Sequence, residues 1–377
     1  MYWRREYLRE AVSMTLNGTY QVDLPDHGRL GSLLLRISGS QVSGYGQSGG
    51  DWRIIDEISK IEVILNGSIV CKSLPGDVAQ ALGFYDQGVP APDTWRNYAT
   101  NTQWCYIPLN FGRRLFDPAA YLDLGHFTSA ELKITNTATS SDFSDLTVSI
   151  LEYFLEEPTG EVPPVGYLRT EEWKKWTTVA DETQYLDLPT EYRLRRIVLQ
   201  AIPAVDSDNV ESTGMHNLMD DVELMLDSGR LRIFKGGIDD LMREAYYHIG
   251  RDIITGGFSY MTADKGVKIG LGYVTAGAWG AGSQDGAGAA TIATMESGRT
   301  SFTQKPETYE ADSPIAMLFK GVAYHNTVLI PFDQDPNPNT WLDPDLRKTV
   351  ELNIHTRNAS SAADGTNRVI LDRLVPY

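Results

Sequence analysis

Cysteine is nearly absent. Cys71 and Cys105 are the only two in 377 residues, too few for a disulfide scaffold or, alone, for a zinc site. Histidine is also scarce: His27, His126, His216, His248, His325 and His355 fall in no metal-ligand spacing such as H-E-x-x-H. No apolar run is long enough to span a bilayer, and no signal-peptide pattern stands at the start. Positive charge is short: 33 basic against 50 acidic residues give a formal net charge of −17. Such a surface repels phosphate backbones and argues against direct nucleic-acid binding. The expectations are a chain made in the cytoplasm, with no cofactor, no metal and no catalytic residues. Sequons at Asn17, Asn66 and Asn358 then meet no glycosylation machinery.

What the chain does contain, it contains twice. "VDLPDHGRLGSLLLRI" (Val22–Ile37) returns as "LDLPTEYRLRRIVLQA" (Leu186–Ala201), 164 positions on. "IEVILNGSIVCKSLPGDVAQALGFY" (Ile61–Tyr85) returns as "VELMLDSGRLRIFKGGIDDLMREAYY" (Val222–Tyr247), at a spacing of 161 that becomes 162 after one inserted residue. "WCYIPLNF" (Trp104–Phe111) pairs with "TVLIPFDQ" (Thr327–Gln334) at 223. "AELKITNT" (Ala130–Thr137) pairs with "VELNIHTR" (Val350–Arg357), and "SILEYFL" (Ser149–Leu155) with "VILDRLV" (Val369–Val375), both at 220. Five echoes in one order mark a tandem duplication whose period is that of a whole domain rather than of a solenoid repeat.

Each copy reads as short strands rich in Val, Ile, Leu, Thr and Tyr, separated by Gly, Pro, Asn and Asp clusters. Asn66-Gly67 and Asp227-Ser228-Gly229 mark hairpin turns, and each copy carries one short helical stretch with Asp77 or Asp239 at its start. The pattern predicts an all-β chain of two tandem eight-stranded jelly rolls with short helices. The expected divisions are an N-terminal amphipathic arm over 1–18, jelly roll 1 over 19–155, a linker and helix over 156–182, and jelly roll 2 over 183–377. "EEPTGEVPPVG" (Glu156–Gly166) is the Pro/Gly-rich linker, and Tyr167–Glu182 reads as its helix. Copy two is longer by one Gly-, Ala-, Thr- and Ser-rich insertion, a tower at about 250–322 containing Phe258, Tyr273 and Trp279.

Candidate chemistry is thin. "GQSGG" (Gly46–Gly50) spells the nucleophile-elbow string, but no helical pattern follows it. Asp333, Asp335, Asn337 and Asn339 alternate as in a calcium loop, yet Pro338 and Pro344 stand where the loop needs Gly and Glu. Cys71 and Cys105 align with the aliphatic Ile233 and Val328, which reads both thiols as core residues. The acids repeated between copies, Asp23/Asp187, Glu62/Glu223 and Glu131/Glu351, read as repeat architecture rather than a paired catalytic site. In "MYWRREYLREAVSM", Trp3, Tyr7 and Ala11 share a helical face while Arg4, Arg5 and Arg9 point elsewhere. Trp3, Arg4, Arg5, Tyr7 and Arg9 are therefore the candidate contact residues, for a membrane interface or for a neighbouring subunit.

Two tandem jelly-roll copies, a linker, a long tower in one copy and the "YIPLNF" and "LIPFDQ" strands resemble the double jelly-roll major capsid proteins. That lineage includes tectivirus-like phages, adenovirus hexon and capsid proteins of large DNA viruses. The resemblance implies a structural, non-enzymatic virion protein that forms a homotrimer with a pseudo-hexameric outline. It implies contacts with neighbouring capsomers, penton and minor capsid proteins, and with an internal lipid membrane facing the N-terminal arm. A hexagonal tile needs six similar wedges, and three duplicated chains supply them. A two-domain lectin or receptor-binding spike is the alternative reading.

Overall fold

In the computed structural model the described residues are 1–42, 54–93, 102–156, 164–202, 215–249, 323–357 and 365–377, with the backbones of seven strands between 250 and 324. The first half runs β1 (Tyr2–Met14), β2 (Thr19–Asp23), β3 (Arg29–Gln41), β4 (Lys60–Leu65), β5 (Ile69–Leu74), helix α1 (Gly76–Gln87), β6 (Thr102–Asn110), the short β7 (Leu122–Asp123), β8 (Ala130–Thr135) and β9 (Phe143–Glu156). The second half runs β10 (Tyr167–Thr177), β11 (Thr183–Asp187), β12 (Arg193–Ile202), a single helical turn α2 (Met215–Leu218), β13 (Met219–Leu226), β14 (Leu231–Gly237) and helix α3 (Ile238–Ile249). Seven strands then intervene: β15 (Ile253–Met261), β16 (Val267–Gly270), β17 (Tyr273–Val274), β18 (Ala278–Gly282), β19 (Thr291–Met295), β20 (Ser301–Gln304) and β21 (Ser313–Tyr324). The second half closes with β22 (Thr327–Pro331), β23 (Val350–Thr356) and β24 (Thr366–Val375).

The pairing order is the same in both halves. Beside β1-β9-β3-β6 lies β2-β8-β4-β5, and beside β10-β24-β12-β22 lies β11-β23-β13-β14. Counting each half's main strands from one to eight, both give 1-8-3-6 facing 2-7-4-5, the jelly-roll order. Strands such as β8 and β23 alternate buried with half-buried residues because one face meets the core and the other does not. The cores are built accordingly, with Leu33, Leu35, Ile37, Val63, Leu132 and Ile150 in the first, and Ile197, Leu199, Leu224, Leu352, Val369 and Leu371 in the second. Asn66 and Gly67 both take positive φ, 51° and 72°, as a tight two-residue hairpin requires.

Two expectations about helices are corrected. Residues Tyr2–Met14 form strand β1, paired with β9 from Tyr2↔Glu156 to Met14↔Leu146. Tyr167–Thr177 form strand β10, paired with β24. Both segments have a helical spacing of aromatics, but each lies beside a strand whose edge needs partners, and that long-range pairing outweighs weak local preference. They are the equivalent first strands of the two rolls: Leu8 in β1 and Trp173 in β10 fall at the same register shift against their partners.

The pairing also refines the repeat. Leu35 faces Ile150 and Ile107, while its counterpart Leu199 faces Val369 and Val328. Ile150 therefore corresponds to Val369, one position from the echo read in the sequence, and Ile107 to Val328, two positions from it. A one-residue slip exchanges the faces of a strand, so Tyr153, not Glu152, is the counterpart of Asp372.

Candidate assembly surfaces

The two rolls are joined by more than the linker. β10 pairs in parallel with β5, Thr170 opposite Lys72 and Glu171 opposite Ser73. The result is one eight-stranded sheet, β2-β8-β4-β5-β10-β24-β12-β22, that crosses from the first roll into the second. Helix α1 seats on the outer face of β12 and β22, where the Tyr85 hydroxyl donates to the Thr327 carbonyl at 2.6 Å and Gln200 donates to the Asp77 carboxylate at 2.8 Å. Val198 and Ile370, on the outer face of the second roll, complete the core of the first. That is why β12 is buried on both faces while β3, its counterpart, alternates.

A buried ionic network fixes this junction. Arg195 reaches Asp86 at 3.0 Å, Asp333 at 2.6 Å and Asp372 at 3.3 Å. Arg196 reaches Asp86 and Asp372, both at 2.9 Å. Lys72 Nζ donates to the Thr170 hydroxyl at 2.7 Å, and that hydroxyl donates to Asp372 at 2.9 Å. Burial disfavours the Asp372 carboxylate, but Arg196, Arg195 and Lys72 outweigh it and hold its pKa below the ordinary value. Burial pushes Lys72 down, opposed by Asp372. Sequence reasoning missed this cluster. Its signal was charge inside otherwise apolar strands, Arg195-Arg196 in "RLRRIVLQ" and Asp372 in "VILDRLV".

The same two kinds of edge recur unpaired at the ends of the molecule. Among the described residues β14, the counterpart of β5, pairs only with β13, and β1, the counterpart of β10, pairs only with β9. On β14, Leu231 is 47% and Ile233 40% exposed, whereas Cys71, in the place of Ile233, is fully buried. Edges β2 and β11 differ. They carry Asp23 opposite Glu131 and Asp187 opposite Glu351, like charges that discourage a further strand.

Of the residues expected to make external contacts, Trp3, Arg5 and Tyr7 lie on the outer face of β1 and Arg4 on the other. The single helical stripe on which a membrane contact was expected is therefore absent. Trp3 lies over Gly31, where a Cβ would come within 2.4 Å of the indole, and packs edge-on against Phe116. Arg4 binds Glu156 at 2.8 Å and also Glu6, and stands over the Phe154 ring. Arg5, Tyr7 and Arg9 are exposed.

The remaining candidates are dispersed. Cys71 and Cys105 are both buried, and burial pushes the Cys71 thiol up to about 12 and Cys105 well above its ordinary value. Asp333 is held by Arg195, Asp343 by Arg193 at 2.9 Å, and Asn337 accepts from the Asn339 amide, so these oxygens serve the loop and its arginines. Among the described residues no group of three or more His, Cys, Asp or Glu is placed to hold a metal. The "GQSGG" segment lies outside the described residues.

No family model matches the sequence, and no curated protein does. Solved structures do. The atomic structure of Sulfolobus turreted icosahedral virus matches with a TM-score of 0.63 at 11% identity, covering 100% of this chain and 91% of that chain. The capsid of PBCV-1 virus matches at 0.56 with 10% identity, over 99% and 94%. The major capsid protein P2 of bacteriophage PM2 matches at 0.53 with 10% identity, over 100% and 98%. The chain thus has the double jelly-roll fold of viral major capsid proteins along its whole length.

Proposed function

We propose that the protein is a structural major capsid protein whose trimers form pseudo-hexameric capsomers of an icosahedral shell. The observation that carries this reading is the β5–β10 junction together with its two unpaired counterparts, β14 at one end and β1 at the other. A head-to-tail contact of one kind closes into a ring when the turn at each step divides the circle. Three duplicated chains then give six rolls around one axis, joined alternately within and between chains. The shared fold with capsid proteins, over nearly the full length of each, supports the same reading.

Neighbouring capsomers, penton proteins and minor capsid proteins are the partners such a shell takes, the virion its location, and the host cytoplasm the compartment before assembly. An internal membrane is a further partner, tested by cosedimentation with anionic vesicles. In this reading the tower insertion between α3 and β22 faces outward from the capsomer.

Light scattering after size exclusion tests the function directly. A particle of three times 41.9 kDa, six-cornered in negative stain, is expected. A monomer at all concentrations, with saturable glycan binding, would establish the lectin or spike instead.

A further inference from the structure

We propose that the outer face of sheet β1-β9-β3-β6 is the docking surface for β14 and α3 of a second copy, with Asp239 of that copy meeting Arg36. The inference rests on the capsomer reading and specifies its chemistry. Within the chain, α1 and β5 of the first roll dock on the outer face of β10-β24-β12-β22. Each group in that contact has a counterpart on the free surfaces. α3 matches α1 in length and position, which makes Asp239 the counterpart of Asp77. β3 matches β12, which makes Arg36 the counterpart of Gln200, the residue that Asp77 accepts from.

The substitution from one junction to the other is complementary in charge. A neutral amide facing Asp77 becomes a guanidinium facing Asp239. Arg36 lies half-buried on the sheet, hydrogen-bonded to the Ser149 hydroxyl at 3.1 Å, and Asp239 is 43% exposed, with a long contact of 3.8 Å to Arg357 among the described residues. The apolar part of the contact also has its counterparts. Val198 and Ile370 are fully buried at the intrachain junction, whereas Leu34 and Leu151, in their places, are half-buried and still open. Phe234 stands where Lys72 stands, and Arg5 where Thr170 stands, so a cation faces a ring in place of an ammonium facing a hydroxyl.

The two junctions therefore differ in kind. Inside the chain, Arg195, Arg196, Lys72, Asp86, Asp333 and Asp372 form a buried ionic set. On the free face their counterparts include Gly31, Ser32 and Tyr153, which offer no charge for that set. A first roll offered its own kind of edge would bury Lys72 and Asp86 against groups that carry no opposite charge, at high cost. The surface fits the second roll of another copy and rejects the first.

Charge reversal tests this. Arg36→Glu and Asp239→Arg are each expected to raise the monomer–trimer midpoint concentration by on the order of tenfold or more, with thermal midpoints of the monomers unchanged. The double variant Arg36→Glu/Asp239→Arg is expected to recover trimer. If the wild-type chain forms trimers but neither reversal weakens them, or the double variant stays as weak as the singles, the docking assignment is wrong while the capsomer reading stands. If the wild-type chain never trimerises, alone or in a capsid preparation, both fall together.

Discussion

Glu152 offers a sharp test of the energetics. It lies on the core-facing side of β9, 1% exposed, between Glu6 on β1 and Leu33 on β3, and its Oε1 has no hydrogen-bond partner among the described residues. Its counterpart in the second roll is Leu371, a core residue. Burial, with added repulsion from Glu6 and partial compensation by Arg4 and Arg9, raises its pKa from 4.5 to about 7. A carboxyl with a raised folded pKa holds its proton more tightly when folded. Stability is then greatest below the unfolded value and is lost as pH climbs from about 4.5 through about 7. At about 1.36 kcal/mol per pKa unit, the full loss is roughly 3–3.5 kcal/mol. Replacing Glu152 by Leu removes that loss and adds apolar burial of about 1.5–3 kcal/mol. Urea unfolding at pH 5.5 and pH 8.5, followed by tryptophan fluorescence, reads both effects. The wild-type midpoint should fall between the two pH values while that of Glu152→Leu holds nearly constant and lies higher at pH 8.5. Parallel pH profiles for the two proteins would refute the reasoning.

Other expected outcomes follow from single contacts. Asp372→Asn leaves Arg195, Arg196 and Lys72 short of an anion in the buried junction, at a cost of about 3–5 kcal/mol; calorimetry should then resolve two transitions in place of one. Gly31→Ala forces the new Cβ into the Trp3 indole and costs about 1–3 kcal/mol, with proteolysis after residues of β1 as the readout. The thiols of Cys71 and Cys105, both buried with raised pKa, should react with a thiol reagent only on unfolding, which a stopped-flow comparison in buffer and in denaturant checks.

The duplication was legible because core strands keep their alternation. Val22, Val63 and Leu132 and their counterparts Leu186, Leu224 and Leu352 occupy equivalent core positions, and the spacings of those strands held. The first strands were not legible. β1 lies on a sheet edge with mostly exposed residues, and β10 runs between β5 and β24 with its first half buried and its second half exposed, so no regular alternation marks either, and their aromatics fall at helical intervals by accident. The "IP" of "YIPLNF" and "LIPFDQ" misled by two positions: Pro108 is matched by Leu329, while Pro331 faces Arg196 at the place of Asn110. The proposed docking surface carries no motif: Arg36 and Asp239 stand in no recognisable pattern, and only the pairing of two rolls brings their counterparts Gln200 and Asp77 together.

The parallel direction of the β5–β10 pairing has a geometric consequence. Two-fold axes relate antiparallel neighbours or identical surfaces; a parallel contact between unlike edges allows neither. A chain that reuses this contact has a front and a back, and can only follow itself. Whether such a procession ends is decided by the turn made at each step. A turn that divides the circle returns to its start and leaves no free edge, while a slightly different turn climbs past its origin and grows into a tube. The angle locked by Arg195, Arg196 and Asp372 between the two halves of one chain would thus also choose between a finite tile and an endless filament.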